Sequence, residues 1–269
     1  MVTRDVVLPR MRPKTLNYPI NPDYGTGACY RHVTVAVADG RVTAHLTDNF
    51  HEMRCVVHHD GTVVTAIDGE AIRIPTSACP GAIGQLRALV GLPIGTPTRE
   101  FYRGALASSH CTHLLDLAVI AIRHCGQARE TTSYDATVPD EIAGETTVEI
   151  GRNGARVHRW LVRDGRIVAP CALRGRTLEK GFAAWASEVF DADDFEAATI
   201  LARTWLIAIG RRYRVADAAG EPTSLNPQMF GRCYAYSPPN IATAVFTGEP
   251  ERNTRPMNTR RSGTGLKFR

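Results

Sequence analysis

The sequence predicts an α+β fold, with antiparallel meander sheets packed on helices and arranged as two related sheet-plus-helix units. Three observations lead there. Residues 32–67 alternate apolar and polar side chains with a period of two, broken by the hairpin dipeptides Asp39-Gly40 and Asp60-Gly61. Residues 110–125 and 191–212 instead space their apolar side chains as a helix does. A second alternating stretch at 147–169, with its own turn at Asp164-Gly165, precedes further helical spacing, so the second half echoes the first.

Residues 1–30 are rich in Pro, Tyr, Asn and Gly, have no period, and read as an extended N-terminal arm. The first unit, 31–128, begins with a strand that puts Val33, Val35 and Val37 on one face. The strand after Gly40 aligns Val42, Ala44 and Leu46, the next aligns Met53, Cys55 and Val57, and Thr62–Ile67 returns. Pro75 ends the sheet region. Pro80 suits a first helical turn, giving a helix from Cys79 to about Val90, stopped by Gly91 and Pro93. A short helix is expected over 98–107. Ser108 or Ser109 then caps a helix over about 110–125 that buries Leu114, Leu117, Ala118 and Ala121. Residues 126–145 are polar, contain Pro139, and read as a linker. The second unit, 145–248, holds strands near Thr147–Ile150, Ala155–Val162 and Arg166–Ala169, then a helix over about 177–190. Asp191, Asp193 and Asp194 supply a cap and first-turn acids for a helix through Arg212, with Phe195, Ala198, Leu201, Ala202, Trp205 and Ile209 as its apolar stripe. Phe230, Tyr234 and Tyr236 are expected to pack back on the body, and 249–269 reads as a mobile basic tail.

The composition, 43% hydrophobic and 22% charged over 269 residues, is that of a globular protein. No apolar run reaches the roughly 18 residues of a membrane span, and the first residues lack a signal-peptide core, so a cytoplasmic location and no membrane partner are expected. Seven cysteines without a C-x-x-C pair disfavour both a disulfide framework and a four-cysteine zinc site. The net charge of +5 concentrates at the two ends, in Arg4, Arg10, Arg12 and Lys14 and in Arg252, Arg255, Arg260, Arg261, Lys267 and Arg269. The body therefore lacks a phosphate-binding stripe, and no nucleic acid partner is expected. A P-loop, a dinucleotide-binding glycine fingerprint and a G-x-S-x-G elbow are all missing, so no organic cofactor is expected.

Two cysteines, Cys79 and Cys111, sit at expected helix starts, where the dipole and free N–H groups lower a thiol pKa. The plainer reading makes them small buried hydrophobes. His110 and His113 flank Cys111 and share a helix side, as metal ligands or as structural residues. In Asp48-Asn49-Phe50-His51-Glu52-Met53-Arg54, His51 has the makings of a general base oriented by Asp48 or another carboxylate. His51 and Glu52 should point to opposite faces of a strand, and the plainer reading is an exposed strand end with a Glu52–Arg54 ion pair. Tyr24, Tyr30 and Tyr236, with Tyr18 and Tyr234, could line a pocket for an aromatic ligand, with core filling as the alternative.

The ordered segments D-x-F-H-E-M (Asp48 to Met53), C-P-G-A (Cys79 to Ala82), G-L-x-I-G (Gly91 to Gly95) and C-T-H-L (Cys111 to Leu114) resemble the bacterial domain-of-unknown-function family numbered 2889, over roughly residues 5–245. His110 stands where that family is expected to carry Gly. The resemblance implies weight on Asp48, His51, Glu52, Cys79, Cys111 and His113, and no activity. More distantly, a meander followed by a Cys before a helix and a His-Cys pair opening a later helix is similar to iron–sulfur cluster assembly scaffolds, matched by Cys79, His110 and Cys111. The further cysteine of that pattern is missing between Cys79 and Cys111.

These readings lead to a small-molecule enzyme without an organic cofactor, leaning to a lyase on an aromatic catabolic intermediate. His51, Glu52, Asp48 and His113 are its catalytic candidates. Cys79, Cys111, Arg54, Tyr24, Tyr30 and Tyr236 are its substrate-binding candidates. A metal-binding or iron–sulfur carrier protein using Cys79, Cys111 and a histidine such as His110 is the first rival class, and a non-catalytic ligand-binding module the second. A homodimer is expected.

Overall fold

The structure, a computed structural model, describes residues 18–102 and 109–252. The first part of the expected arm, residues 103–107 of the short helix, the Ser108 cap and the basic tail from 253 onward lie outside the described residues.

The alternating stretches form strands β1 (Ala28–Ala38), β2 (Arg41–Asp48), β3 (Glu52–His59) and β4 (Val64–Arg73), then β5 (Thr131–Pro139), β6 (Glu145–Arg152), β7 (Ala155–Arg163) and β8 (Arg166–Ala169). The register follows the apolar pattern, with Val35 opposite Ala44 and Ala44 opposite Cys55. The two strand groups do not make separate sheets. Strand β1 pairs antiparallel with β5, Val33 opposite Tyr134, and one eight-stranded sheet results in the order β4-β3-β2-β1-β5-β6-β7-β8. Strand β5 occupies the segment whose polarity reads as a linker. Its Thr132, Tyr134, Ala136 and Val138 are buried in alternation, a period of two hidden because Thr and Tyr count as polar although both favour strands.

Helices cover one face of the sheet. After α1 (Thr98–Phe101), α2 (Thr112–His124) packs on β1, β2 and β3. After α3 (Phe182–Val189), α4 (Ala192–Ala208) packs on β5, β6, β7 and β1. Asp191 caps α4, its side chain accepting from the backbone N–H groups of Asp193 and Asp194. The segment Cys79–Leu89 winds as 3₁₀ rather than α-helix. Gly81 and Gly84 weaken an α-helix there, and a Cβ at Gly81 would press on the Tyr234 ring. One apolar core runs under both halves, with Trp160, Tyr134, Met53, Leu117 and Ile150 fully buried, each contributing about 1.5–3 kcal/mol of transfer free energy. A smaller cluster of Cys79, Ala218, Ala235, Tyr236 and Phe246 lies beside Tyr18 and seats the last segment on the body; Phe230 points outward instead. Among the described residues, no helix is long and apolar enough to cross a membrane.

Candidate active site

The chemistry begins in the turn that links β2 to β3. Asp48 ends β2 on its core face and is fully buried. Its Oδ1 accepts the backbone N–H groups of Phe50 and His51, each at 2.8 Å, and meets His51 Nδ1 at 3.0 Å. Its Oδ2 accepts Arg31 Nη2 at 2.6 Å and Nε at 3.2 Å. Burial alone would raise the Asp48 carboxyl, but His51 and the Arg31 guanidinium outweigh it and hold it well below the usual carboxylate range. Asp48 is therefore ionised and only accepts, so the His51 Nδ1 that faces it carries a proton.

The turn is fixed from behind by groups that sequence reasoning missed. The buried Arg73 donates from Nη1 to Asn49 O at 2.8 Å and from Nη2 to His51 O at 3.1 Å, and also to Asp48 O. The Asn49 side chain accepts Tyr30 N at 2.8 Å and donates to Glu251 Oε1 at 2.7 Å. Arg31 and Arg73 carry one available signal: each occupies an inward position of its strand, where an unpaired guanidinium would be costly.

His113, in the first turn of α2, stacks on His51 with ring centroids 3.9 Å apart and planes inclined by 27°. Burial first, then the charges of His51 and Arg31, push its imidazole well below the usual histidine range, so it is neutral at pH 7. Asp48, His51 and His113 bring ligand atoms within 4.8 Å of one another, the one grouping of this kind among the described residues. Two features of it disfavour chelation. Imidazole lone pairs lie in the ring plane, so the lone pairs of nearly parallel stacked rings run side by side instead of converging. The Asp48 oxygens already face five donor groups, which a metal would have to displace.

A narrow cleft with about 30 Å³ of space lies between α2 and α4 over β1 and β2. Val33, Leu46, Leu117, Ile120, Phe195 and Ile200 give it apolar walls, and Arg31 reaches it from the site. Neither His51 nor His113 lines it, and Arg31 is the residue that the cleft shares with the Asp48 site. Two ion clusters flank it. Asp116 accepts the Tyr102 hydroxyl at 2.7 Å and pairs with Arg203 at 3.0 Å. Glu196 accepts the Tyr134 hydroxyl at 2.7 Å, meets His124 Nε2 at 3.0 Å and pairs with Arg123 at 2.9 Å.

The structure thus brings together Asp48, His51 and His113. Glu52 points away, 3.5 Å from His45, and Arg54 pairs with Glu70 rather than Glu52. The strand alternation that separates His51 from Glu52 holds. Tyr24 receives Glu141 N at 3.2 Å in a separate groove, Tyr30 adjoins Asn49 on β1, and Tyr236 fills the small cluster. The tyrosines do not converge on one pocket. Cys79, His110 and Cys111 form no metal-ligand group. Burial pushes the Cys79 and Cys111 thiols up rather than down, because apolar neighbours outweigh the helix start. Of the seven free cysteines Cys171 alone is exposed. Thiol labelling of the native protein at pH 8 is expected to modify Cys171 first, with Cys79 and Cys111 reacting only on unfolding; mass spectrometry of the labelled sites checks this.

Residues 31–125 match the model of a family described as protein of unknown function (DUF2889), and all four ordered segments from Asp48 to Leu114 fall inside the match. The matched stretch carries Arg31, Asp48, His51, Arg73 and His113, and ends before β5 and α4. No curated protein matches the chain.

Proposed function

We propose that the protein is a small-molecule enzyme that uses His51 as its general base, in a lyase-type elimination on an aromatic catabolic intermediate. The observation that carries this reading is the Asp48–His51 pair, with a buried carboxylate held ionised and its imidazole partner oriented by a 3.0 Å contact. His51 Nε2 takes a proton from a carbon beside an electron-withdrawing group. The C–H electron pair forms the double bond as the bond to the leaving oxygen breaks, and the imidazolium returns the proton to that oxygen. Asp48 stabilises the imidazolium. His113, kept neutral, adds no second positive charge beside it.

A screen of aromatic catabolic intermediates against the purified protein tests the activity. With a substrate found, His51→Gln and Asp48→Asn are each expected to lower kcat by about 10²–10⁴-fold, the usual contribution of a positioned base. Undiminished turnover by His51→Gln would overturn the assignment. Stoichiometric iron or zinc in protein purified without air, lost in His113→Gln, would favour the metal-binding class instead.

A further inference from the structure

We infer that Glu251 is a positioning residue for His51, acting through Asn49 from outside the β2–β3 turn. This rests on the proposed reading of His51 as the base and adds to it a residue far along the chain, beyond the matched stretch 31–125. The turn needs outside support. Asp48 N donates to His51 O at 2.8 Å, so Asn49 and Phe50 make a two-residue hairpin loop. Such loops favour positive φ at one or both central residues, because only then does their twist match that of the strands. Neither Asn49 nor Phe50 has a positive φ. The loop therefore lacks the local geometry that holds a hairpin closed by itself, and its register depends on contacts from elsewhere.

Segment 247–252 supplies them. It runs from the end of β4, where Thr247 N donates to Pro75 O at 3.0 Å, to the turn, where Arg252 N donates to Asn49 O at 2.9 Å. Asn49 Nδ2 donates to Glu251 Oε1 at 2.7 Å, a shorter contact than its 3.3 Å to Ala28 O. The same Glu251 oxygen accepts Arg211 Nη1. Arg211 is anchored in turn on Asp140, from Nε at 2.7 Å and Nη2 at 3.0 Å, and Asp140 Oδ2 accepts Gly25 N and Gly27 N, each at 3.0 Å. Glu251 thus ties the loop to an ion pair that is itself fixed on two sides. Removing it leaves Arg211 with Asp140 as counter-charge, so no buried cation loses its only partner. At 28% side-chain exposure, its removal leaves no sealed cavity either. The loss falls on the loop, and with it on the 3.0 Å contact by which Asp48 orients His51 Nδ1.

The test is solvent exchange of the His51 Nδ1 proton, followed by NMR on the full chain with isotope-labelled histidine and assigned by its absence in His51→Gln. Glu251→Ala is expected to speed that exchange by about 10-fold, the low end of what a hydrogen bond to a charged group is worth. Glu251→Gln keeps an acceptor for Asn49 and should bring exchange most of the way back. Glu141→Ala breaks the neighbouring ion pair of Arg212 and should leave it unchanged. Unchanged exchange in Glu251→Ala would overturn the inference. So would an equal rise in Glu141→Ala, or in the backbone amides of β6 and β7, because either reports general loosening. A proton already too fast to detect in the unsubstituted protein overturns it as well. If Glu251→Ala does not fold, Asn49→Asp removes the same contact from the other side, and the same acceleration is expected. Loss of the signal in Asp48→Asn checks the acid–base pair by itself, so failure of that pair and failure of the Glu251 assignment are told apart.

Discussion

An Asp48→Ala protein is expected to lose about 3–5 kcal/mol of stability, because the substitution leaves the Arg31 guanidinium buried without its counter-charge. It also frees the N–H groups of Phe50 and His51 from the oxygen that closes the turn. Urea unfolding followed by circular dichroism measures the loss, and a change below about 1 kcal/mol would show that the turn is held by Arg73 and Asn49 alone. The pH dependence has a definite sign. The carboxyl of Asp48 is depressed in the folded protein, so its stabilising contribution is complete above the unfolded value of about 3.9 and is lost as pH falls through the lower folded value. The gap in stability between the unsubstituted protein and Asp48→Ala should therefore be widest near neutral pH and narrow in acid. A gap that widened in acid would contradict a depressed carboxyl.

Much of the site was legible because local chemistry and strand alternation agree there. Asp48 and His51 lie three residues apart in one turn, close enough for an acid and an imidazole to meet without knowledge of the fold. His113 entered through its place near Cys111 and through the C-T-H-L segment, and its stack on His51 depends on how α2 crosses β3. The cysteines drew attention for a sound local reason, since a helix start does lower a thiol pKa. Burial decides the sign, and burial is a tertiary property: both thiols lie in apolar surroundings. The tyrosines misled for a similar reason, because flat amphipathic rings serve core filling as well as they serve a pocket. At the level of fold, each strand of the first half followed from its period. The join between halves did not, because the β1–β5 pairing links residues about a hundred positions apart, and β5 is written in Thr, Tyr, Ser and Asp rather than in aliphatic residues.

Glu196 is the second position where a single change should have a large effect, and it bears on the cleft directly. Helices α2 and α4 both pack on the sheet and are held apart by the cleft. Glu196 on α4 spans that gap to Arg123 and His124 on α2 and to Tyr134 on β5. It is 3% exposed, so removing it strands the buried His124 and Tyr134 and the half-buried Arg123 in a site with little water to replace the lost acceptor. Glu196→Ala is expected to cost about 3–5 kcal/mol, the range for breaking a buried ion pair from one side. Glu196→Gln keeps an acceptor for the Tyr134 hydroxyl and should cost less. If the bridge holds the two helices in register, the coupling energy between Glu196→Gln and Arg123→Met in a double-mutant cycle will exceed about 0.5 kcal/mol, the scatter expected for independent sites. Hydrogen exchange in α2 near Arg123 should then rise together with exchange in the first turns of α4, because the two helices would loosen as one unit. Faster exchange confined to α4 would mean that the sheet alone positions α2, and that the cleft keeps its shape without the bridge.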